Sequence, residues 1–168
     1  MIPKETLIEW LKEIDKRLKR KITIVAVGGT AMTLLGLKLS TIDVDFCLRK
    51  EDKELFEKAM TKQFNKVDLF IDGYIFAEQL PQDYKEKAKE ILRLERITLK
   101  ALHPIDIIIT KAARLNARDE EDIAAVAKYV NKKELIERFG EVVKTYAGRE
   151  EDYQYNFDTV LRRFFSEK

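Results

Sequence analysis

Two contrasting hydrophobic patterns open the chain. Between residues 5 and 19 apolar side chains recur at spacings of three and four, which predicts an amphipathic helix. Residues 22–27 are branched and apolar at almost every position, as expected for a short strand that is buried on both faces. The helical stripe consists of Leu7, Trp10, Leu11, Ile14 and Leu18.

A glycine pair separates this strand from a second helix and a second strand. Gly28 and Gly29 end the first strand, and Thr30 is placed to cap a short helix over residues 31–35. The next predicted strand covers residues 41–48. Because side chains alternate along a strand, Asp43 and Asp45 should share the face opposite Val44 and Phe46.

The rest of the chain predicts one more strand region followed by helices. We expect a helix over 51–62, a strand over 66–71 with a turn at Asp72-Gly73, and one or two strands over 91–102, whereas residues 74–90 give no clear pattern. Helices are predicted over 104–116, 119–129, 132–146 and 150–165. The fold class is therefore α/β (α+β), a small mixed sheet in residues 1–103 with a helical region, 104–168, packed on it.

Composition narrows the class of protein without naming it. A hydrophobic fraction of 45% predicts a folded globular chain, and 32 lysines and arginines against 30 acids leave a net charge of only +2. That balance disfavours a general RNA-binding module, although a local basic patch is compatible with it. The 37% of charged residues, mixed in sign along the helices, is typical of proteins from hot environments.

Features of membrane and secreted proteins are missing from the pattern. No apolar run approaches the ~20 residues that cross a bilayer, and the start of the chain does not resemble a signal peptide. The only cysteine, Cys47, excludes an internal disulfide and a multi-cysteine zinc site. We expect a soluble, cytoplasmic protein with no membrane partner.

The glycine pair and the paired aspartates are the strongest indications of chemistry. A glycine turn between strand and helix lets backbone N–H groups approach phosphate oxygens without a Cβ clash, although glycine pairs also mark ordinary turns. Two carboxylates on one face of an apolar strand repel each other unless a cation lies between them. Magnesium, which prefers carboxylate and phosphate oxygens, would relieve that repulsion. A solvated strand end is the alternative reading of Asp43 and Asp45.

The stretch 22–48 resembles the DNA polymerase beta-like nucleotidyltransferase superfamily. The matching motifs are Val27-Gly28-Gly29-Thr30-Ala31-Met32 and Ser40-Thr41-Ile42-Asp43-Val44-Asp45-Phe46. They look like the small prokaryotic and archaeal members, many of which are toxin–antitoxin components. Later segments, Lys111-Ala112-Ala113-Arg114 and Arg118-Asp119-Glu120-Glu121-Asp122-Ile123, extend the resemblance over about the first 125 residues.

The resemblance implies a two-metal site with a third acid. Asp43 and Asp45 would bind two Mg²⁺ ions, with Mn²⁺ as an alternative, and a third carboxylate would come from a neighbouring strand. Asp68 fits the hydrophobic-acid-hydrophobic pattern, and Asp72 on the same strand face is the alternative. One departure is Gly29, which stands where many members have serine, so that backbone N–H groups or Thr30 would take over its phosphate contact.

Several basic and hydroxyl residues are candidates for nucleotide contacts. Lys38, Ser40 and Thr41 precede the aspartates, where a cation and hydroxyls can meet a triphosphate or an acceptor. Lys111, Arg114 and Arg118 follow helical spacing and would form one basic stripe. Asp119 and Asp122 are spaced to pair with the same bases, so a solvated charge network is the alternative.

The remaining reactive or aromatic residues favour structural roles. His103, the only histidine, precedes Pro104 at a predicted helix start, and Cys47 lies in a predicted packed strand. Aromatic residues near the carboxyl end are more simply explained by core packing or by a homodimer contact than by base stacking. They are Tyr153, Tyr155, Phe157, Phe164 and Phe165.

These observations lead to two functional hypotheses. The first is a magnesium-dependent enzyme that moves a nucleoside monophosphate from a nucleoside triphosphate to a hydroxyl acceptor and releases pyrophosphate. A tRNA end, a partner protein's side chain and a small molecule all remain open as acceptor. The alternative is a catalytically inactive nucleotide-binding protein or toxin–antitoxin partner with the same fold.

Overall fold

A computed structural model describes residues 1–166 as a mixed five-stranded sheet with helices on both faces. The strands follow the order β5-β4-β2-β9-β8, and two-stranded ribbons β1-β3 and β6-β7 flank the sheet. The strands are β1 Ile2–Pro3, β2 Ile22–Ala26, β3 Ser40–Thr41, β4 Val44–Leu48, β5 Val67–Ile71, β6 Tyr74–Ile75, β7 Glu78–Gln79, β8 Lys89–Arg93 and β9 Ile97–Ala101.

Eight α-helices and one short 3-10 helix complete the described part of the chain. The α-helices are α1 Lys4–Arg17, α2 Gly28–Leu34, α3 Lys50–Ala59, α4 Tyr84–Lys87, α5 Pro104–Arg114, α6 Ala117–Ala127, α7 Lys132–Val142 and α8 Glu150–Phe164. The 3-10 helix covers Val143–Thr145. The expected α/β class, with a mixed sheet and a helical carboxyl-terminal part, is confirmed.

The sheet contains two parallel strand pairs, β2 with β9 and β4 with β5, which run in opposite directions and meet between β2 and β4. The side chains of the central strand β2 are almost entirely buried, which agrees with the continuous apolar run. The register sets Asp45 of β4 directly beside Asp68 of β5.

Each face of the sheet has its own helical layer. On one face Trp10 of α1 packs against Phe46 of β4 and Phe56 of α3, with ring centroids 6.4 and 6.2 Å apart. Because Phe46 points toward these helices, Asp45 points toward the opposite face. There α5 contacts α2, α6, α7 and α8.

The helix boundaries show how local chemistry determines the ends of α5 and α6. His103 caps α5, since its Nδ1 accepts a hydrogen bond from the backbone N–H of Ile105 at 3.0 Å. Leu115 ends α5 in the left-handed region with φ of 45°. Asn116 and Asp119 then form a capping box, so α6 begins two residues earlier than the predicted residue 119. The expected structural role of His103 is confirmed.

Other boundaries also differ from the sequence predictions. The helix after the glycine pair begins at Gly28, not after a Thr30 cap. The unclear stretch 74–90 forms the β6-β7 ribbon and the short helix α4, and α7 ends at Val142, before the 3-10 helix. None of the helices within residues 1–166 combines the length and the apolar character needed to cross a bilayer.

Candidate active site

The glycine turn lies directly against the acidic strand. Gly28 has a φ of +56°, which favours glycine, and a Cβ atom there would come 3.5 Å from the Oδ2 atom of Asp45. The backbone N–H of Val27 donates a hydrogen bond to the carbonyl oxygen of Asp45 at 3.1 Å. The turn and the acid are therefore held together by the sheet itself.

Gly29 has a different reason to be glycine. A Cβ atom at this position would lie 2.9 Å from the Oγ1 atom of Thr41, closer than real Cβ contacts. The Thr41 hydroxyl in turn donates to the carbonyl oxygen of Asp43 at 2.8 Å. This hydroxyl thus occupies the space in which a serine side chain would begin.

Three aspartates lie close together at the amino-terminal ends of strands β4 and β5. Asp45 and Asp68 are register neighbours, Asp43 precedes β4 by one residue, and all three line one cavity. Burial, and then the nearby carboxylates of Asp68 and Asp43, raise the pKa of Asp45 from 3.8 to about 7. Lys66 opposes this effect, with its Nζ atom 3.4 Å from the Oδ2 atom of Asp68.

Thr30 supports the acids from behind and does not reach the cavity. Its fully buried hydroxyl donates to the carbonyl oxygen of Asp43 and accepts from the backbone N–H of Asp45, both at 3.0 Å. Thr30 was a candidate phosphate contact, but the structure pairs its hydroxyl with the backbone of the chain and leaves it outside the cavity lining. The Thr30 hydroxyl thereby holds the backbone of Asp43 and Asp45 in place.

The cavity beside the acids has a volume of about 210 Å³. It collects the glycine turn, the three aspartates, Lys38, Thr41, Lys111 and Arg118, all of which were sequence candidates. Asp72 is not part of it, since this residue has a φ of 53° and its Oδ1 atom accepts from the backbone N–H of Lys50. A broader groove of about 760 Å³ at residues 128–137 shares no lining residue with the cavity.

The basic wall of the cavity consists of Lys38, Lys111, Arg114 and Arg118, and the first three of these side chains are paired with acids. Lys111 is only 3% exposed. Its Nζ atom lies 2.9 Å from the Oδ2 atom of Asp122 and 3.5 Å from the Oδ1 atom of Asp119. Lys38 lies 3.3 Å from the other oxygen of Asp122. The network is buried around Lys111, so the solvated-network alternative does not describe that residue.

Arg114 and Arg118 differ in their partners. Arg114 donates from Nε and Nη2 to both oxygens of Asp119, at 2.8 and 2.7 Å, which raises the pKa of its guanidinium. Arg118 is exposed and lines the cavity, and it makes no ion pair with a carboxylate among residues 1–166. Among the described residues, Arg118 is thus the cation of this wall that no carboxylate neutralises.

Five residues of the cavity lining were not singled out as site residues from the sequence. They are Ile42, Lys66, Phe70, Phe76 and Asn116. Phe70 shares a strand face with Asp68, so alternation along β5 was a usable signal for it. Phe76 carried no such signal, because it lies in the ribbon that local patterns did not predict.

The remaining candidates lie away from the cavity. Cys47 is buried and its Sγ atom lies 3.4 Å from the Tyr84 hydroxyl. In the carboxyl-terminal aromatic group Tyr153, Phe157 and Phe165 are buried, whereas Tyr155 is 70% exposed. Ser40 forms part of β3 and does not line the cavity.

The acids suit a metal that is shared with a ligand. No three side chains of His, Cys, Asp or Glu within residues 1–166 are close enough to hold an ion by themselves. Magnesium in enzymes usually takes one or two carboxylates and completes its shell with water and substrate phosphates. Asp43, Asp45 and Asp68 offer that donor set, and a bound cation would offset the burial and mutual repulsion that raise the pKa of Asp45.

A diglycine turn and an Asp-x-Asp segment lie at one cavity of a mixed sheet, the arrangement that the resemblance to nucleotidyltransferases led us to expect. The chain belongs to the family described as "Nucleotidyltransferase of unknown function (DUF6036)", which it matches over residues 5–167. The superfamily expected from the motifs is thereby confirmed.

A solved structure agrees with the fold. The chain is similar to the solution structure of the antibiotic-resistance factor ANT(2'')-Ia, with a TM-score of 0.56 and 12% sequence identity. The alignment covers 94% of this chain and 96% of that one. At this identity the likeness concerns the fold alone. A search of curated proteins found no match.

Proposed function

We propose that the protein transfers a nucleoside monophosphate from a nucleoside triphosphate to a hydroxyl acceptor. In the reaction the acceptor oxygen forms a bond to the α-phosphorus, and the bond from that phosphorus to the bridging oxygen of the β-phosphate breaks. Pyrophosphate leaves, and the hydroxyl proton passes to solvent or to a cavity carboxylate. Nucleotide transfer of this kind depends mainly on positioning and charge neutralisation.

The donor triphosphate would lie at the glycine turn. Gly28 and Gly29 line the cavity together with Lys38 and Thr41, so backbone N–H groups of the turn would meet the phosphates there. Arg118 supplies an unpaired positive charge. Lys111 acts at a distance by keeping Asp122 neutralised, since its ammonium is already engaged.

The acids would hold divalent cations, Mg²⁺ or Mn²⁺. Bound there, such ions lower the pKa of the acceptor hydroxyl and neutralise charge on the phosphates. Asp43 and Asp45 stand closest to the glycine turn in the sheet order, and Asp68 lies one strand further out. The observation that supports the proposal most is the register pairing of Asp45 with Asp68 inside the cavity of the glycine turn.

Transfer from a labelled triphosphate tests the proposal. The full chain is incubated with α-labelled triphosphates, Mg²⁺ and a cognate cell extract, and the labelled macromolecule and pyrophosphate are measured. We expect Asp45→Asn and Asp68→Asn to abolish both products, while Asp72→Asn stays active because residue 72 does not line the cavity. Wild-type transfer by Asp45→Asn would overturn the enzymatic proposal.

The second candidate is a nucleotide-binding partner protein of a toxin–antitoxin pair that transfers nothing. It is favoured by the glycine in place of serine at residue 29 and by the lack of a preformed three-ligand metal set within residues 1–166. Calorimetry with each triphosphate separates the two candidates. Metal-dependent affinity without pyrophosphate, in the presence of the extract, would favour the binding protein.

A further inference from the structure

The order of the strands divides the cavity into two sides. The glycine turn follows β2, Asp45 lies on β4 and Asp68 on β5, so Asp45 stands between the other two. If the triphosphate lies at the glycine turn, as proposed above, the attacking hydroxyl has to enter from the side of Asp68. The inference below rests on that proposed function.

An aromatic wall lines the Asp68 side. Phe70 follows Asp68 by two residues on β5 and therefore shares its face. The ring of Phe76 lies 5.9 Å from that of Phe70, at an interplanar angle of 60°. Both rings line the cavity, and Phe76 remains 45% exposed.

Phe76 is held in an unusual conformation. Its φ of 61° is rare for a bulky residue, and such strain persists only where neighbouring contacts enforce it. The contacts here come from outside the turn: the backbone N–H of Ala147 donates to the carbonyl oxygen of Ala77 at 2.8 Å, and that of Gln79 to Thr145 Oγ1 at 2.9 Å. The fold thus maintains an exposed aromatic ring at the entrance of a polar cavity.

The guanidinium of Arg114 packs against the ring of Phe76 in this aromatic wall. The Cζ atom of Arg114 lies 4.9 Å from the centroid of the Phe76 ring, and its bidentate pairing with Asp119 fixes the guanidinium. Arg118, which has no carboxylate partner within residues 1–166, lines the same cavity. Aromatic rings beside arginines are the chemistry by which proteins bind single-stranded nucleic acid, through base stacking and phosphate contacts.

We propose that Phe76 and Arg114 form an acceptor platform, on which the terminal base of a single-stranded nucleic acid stacks so that its 3′-hydroxyl lies beside Asp68. Arg118 would contact a phosphate of the same strand. The 3′-oxygen would then form the new bond to the α-phosphorus and pyrophosphate would leave. A platform of this kind selects acceptors that carry a planar ring next to the hydroxyl.

A binding measurement tests the platform without requiring catalysis. The probe is a short oligoadenylate whose 3′-terminal base is the fluorescent 2-aminopurine, made as RNA and as DNA, titrated with the full chain in Mg²⁺. We expect Phe76→Ala to weaken binding by roughly tenfold or more, and Phe76→Trp to retain it, because stacking needs only an aromatic face. Tyr74→Ala is the matched control, since Tyr74 is an exposed aromatic of the same ribbon outside the cavity lining.

Triphosphate affinity, measured separately, should be equal in all four proteins. The inference is wrong if the wild type binds neither oligonucleotide, if Phe76→Ala binds like the wild type, or if Phe76→Ala loses triphosphate affinity instead. A preference for the RNA or the DNA probe identifies which strand the platform takes, and both outcomes support it. Thermal unfolding confirms that each variant is folded.

The outcomes also separate this inference from the proposed function. Pyrophosphate release with the extract, together with no binding of either probe, would leave the transferase proposal intact and exclude the platform. Phe76-dependent binding of a probe without any pyrophosphate release would do the reverse.

Discussion

The hydroxyl oxygen of Thr41 lies 2.9 Å from the position that a Cβ atom at Gly29 would occupy. These two residues come from different elements, and the hydroxyl also holds the carbonyl oxygen of Asp43. The choice of glycine at residue 29 is therefore coupled to the choice of threonine at residue 41.

This coupling predicts a non-additive pair of substitutions. Gly29→Ser should lower the free energy of unfolding by about 1–3 kcal/mol, because Cβ displaces the Thr41 side chain. Thr41→Ala alone should cost about 1 kcal/mol through the lost hydrogen bond. The double variant should cost less than the sum, which urea unfolding of all three measures.

Gly140→Ser serves as the control for this cycle, because a Cβ atom at residue 140 meets nothing within 4 Å. Strict additivity of Gly29→Ser and Thr41→Ala would show that the two sites do not compete for space.

The half-buried acid Asp45 predicts a metal-dependent stability. Since its pKa is raised to about 7, the folded protein carries an unfavourable charge there above that pH. At about pH 8, Asp45→Asn should raise the free energy of unfolding without metal, by on the order of 1 kcal/mol. Mg²⁺ should raise the melting temperature of the wild type and leave that of the variant unchanged.

Asp72→Asn is the matched control for the metal effect. Residue 72 lies outside the cavity lining and has a left-handed φ that asparagine tolerates, so this variant should keep the Mg²⁺ response. An equal response in Asp45→Asn would mean that the ion binds elsewhere.

Glu78 predicts a decline of stability with pH. Its side chain is fully buried, and burial raises its pKa from 4.5 to about 8. The folded protein therefore binds this proton more tightly than the unfolded chain does. The resulting stability is complete below about pH 4.5 and is lost as pH rises through about 8.

Glu78→Gln removes this titration while keeping an acceptor for the N–H of Ala77. Urea unfolding at about pH 5 and about pH 9 should show the wild type losing up to a few kcal/mol relative to the variant. A difference between the two proteins that does not change with pH would contradict the assignment.

Two cations of the basic wall, Lys111 and Arg118, should respond differently to substitution by alanine, one in stability and the other in kinetics. Lys111→Ala leaves Asp122 buried without its closest partner, at a cost of roughly 3–5 kcal/mol in the free energy of unfolding. Arg118→Ala should change stability by less than about 0.5 kcal/mol, because the side chain is exposed. It should instead lower kcat/KM for the triphosphate or the acceptor by roughly tenfold, as bound-phosphate contacts do.

Denaturant unfolding and steady-state transfer assays on the two variants check this division. A folded, fully stable Lys111→Ala protein would show that the ion pair contributes nothing, and an Arg118→Ala protein with unchanged kinetics would remove that residue from the binding site.

The parts of this protein that sequence patterns predict are those determined by local periodicity. Strand β2 and the glycine turn follow from runs of a few residues, and the structure contains both. The predicted strand over 41–48 is interrupted at residues 42–43, so Asp43 lies just before β4, and it lines the same cavity as Asp45 without sharing a strand with it. Thr30 shows the limit of that approach. The helix begins earlier, at Gly28, and the Thr30 hydroxyl bonds instead to the backbone of Asp43 and Asp45 at the start of β4.

Residues held by distant partners escape such patterns. Phe76 owes its position to contacts with residues 145 and 147, which no window around the ribbon contains. Lys111 and Asp122 are brought together by the left-handed turn at Leu115, which reverses the chain between α5 and α6. Helical spacing indicated that Lys111 and Asp122 were able to pair, but it carried no information on whether the pair is buried.

The strands that carry Asp45 and Asp68 are not held equally by their neighbours in the sheet. Asp45 belongs to β4, which has a hydrogen-bonded neighbour on each side, whereas the strand of Asp68 is the outermost of the sheet and has only one. Changes along β5 and the ribbon after it leave the pairing of β2 with β4 untouched. If the proposed function holds, substitutions in this outer strand would therefore alter the acceptor side of the cavity and leave the backbone around the glycine turn in place.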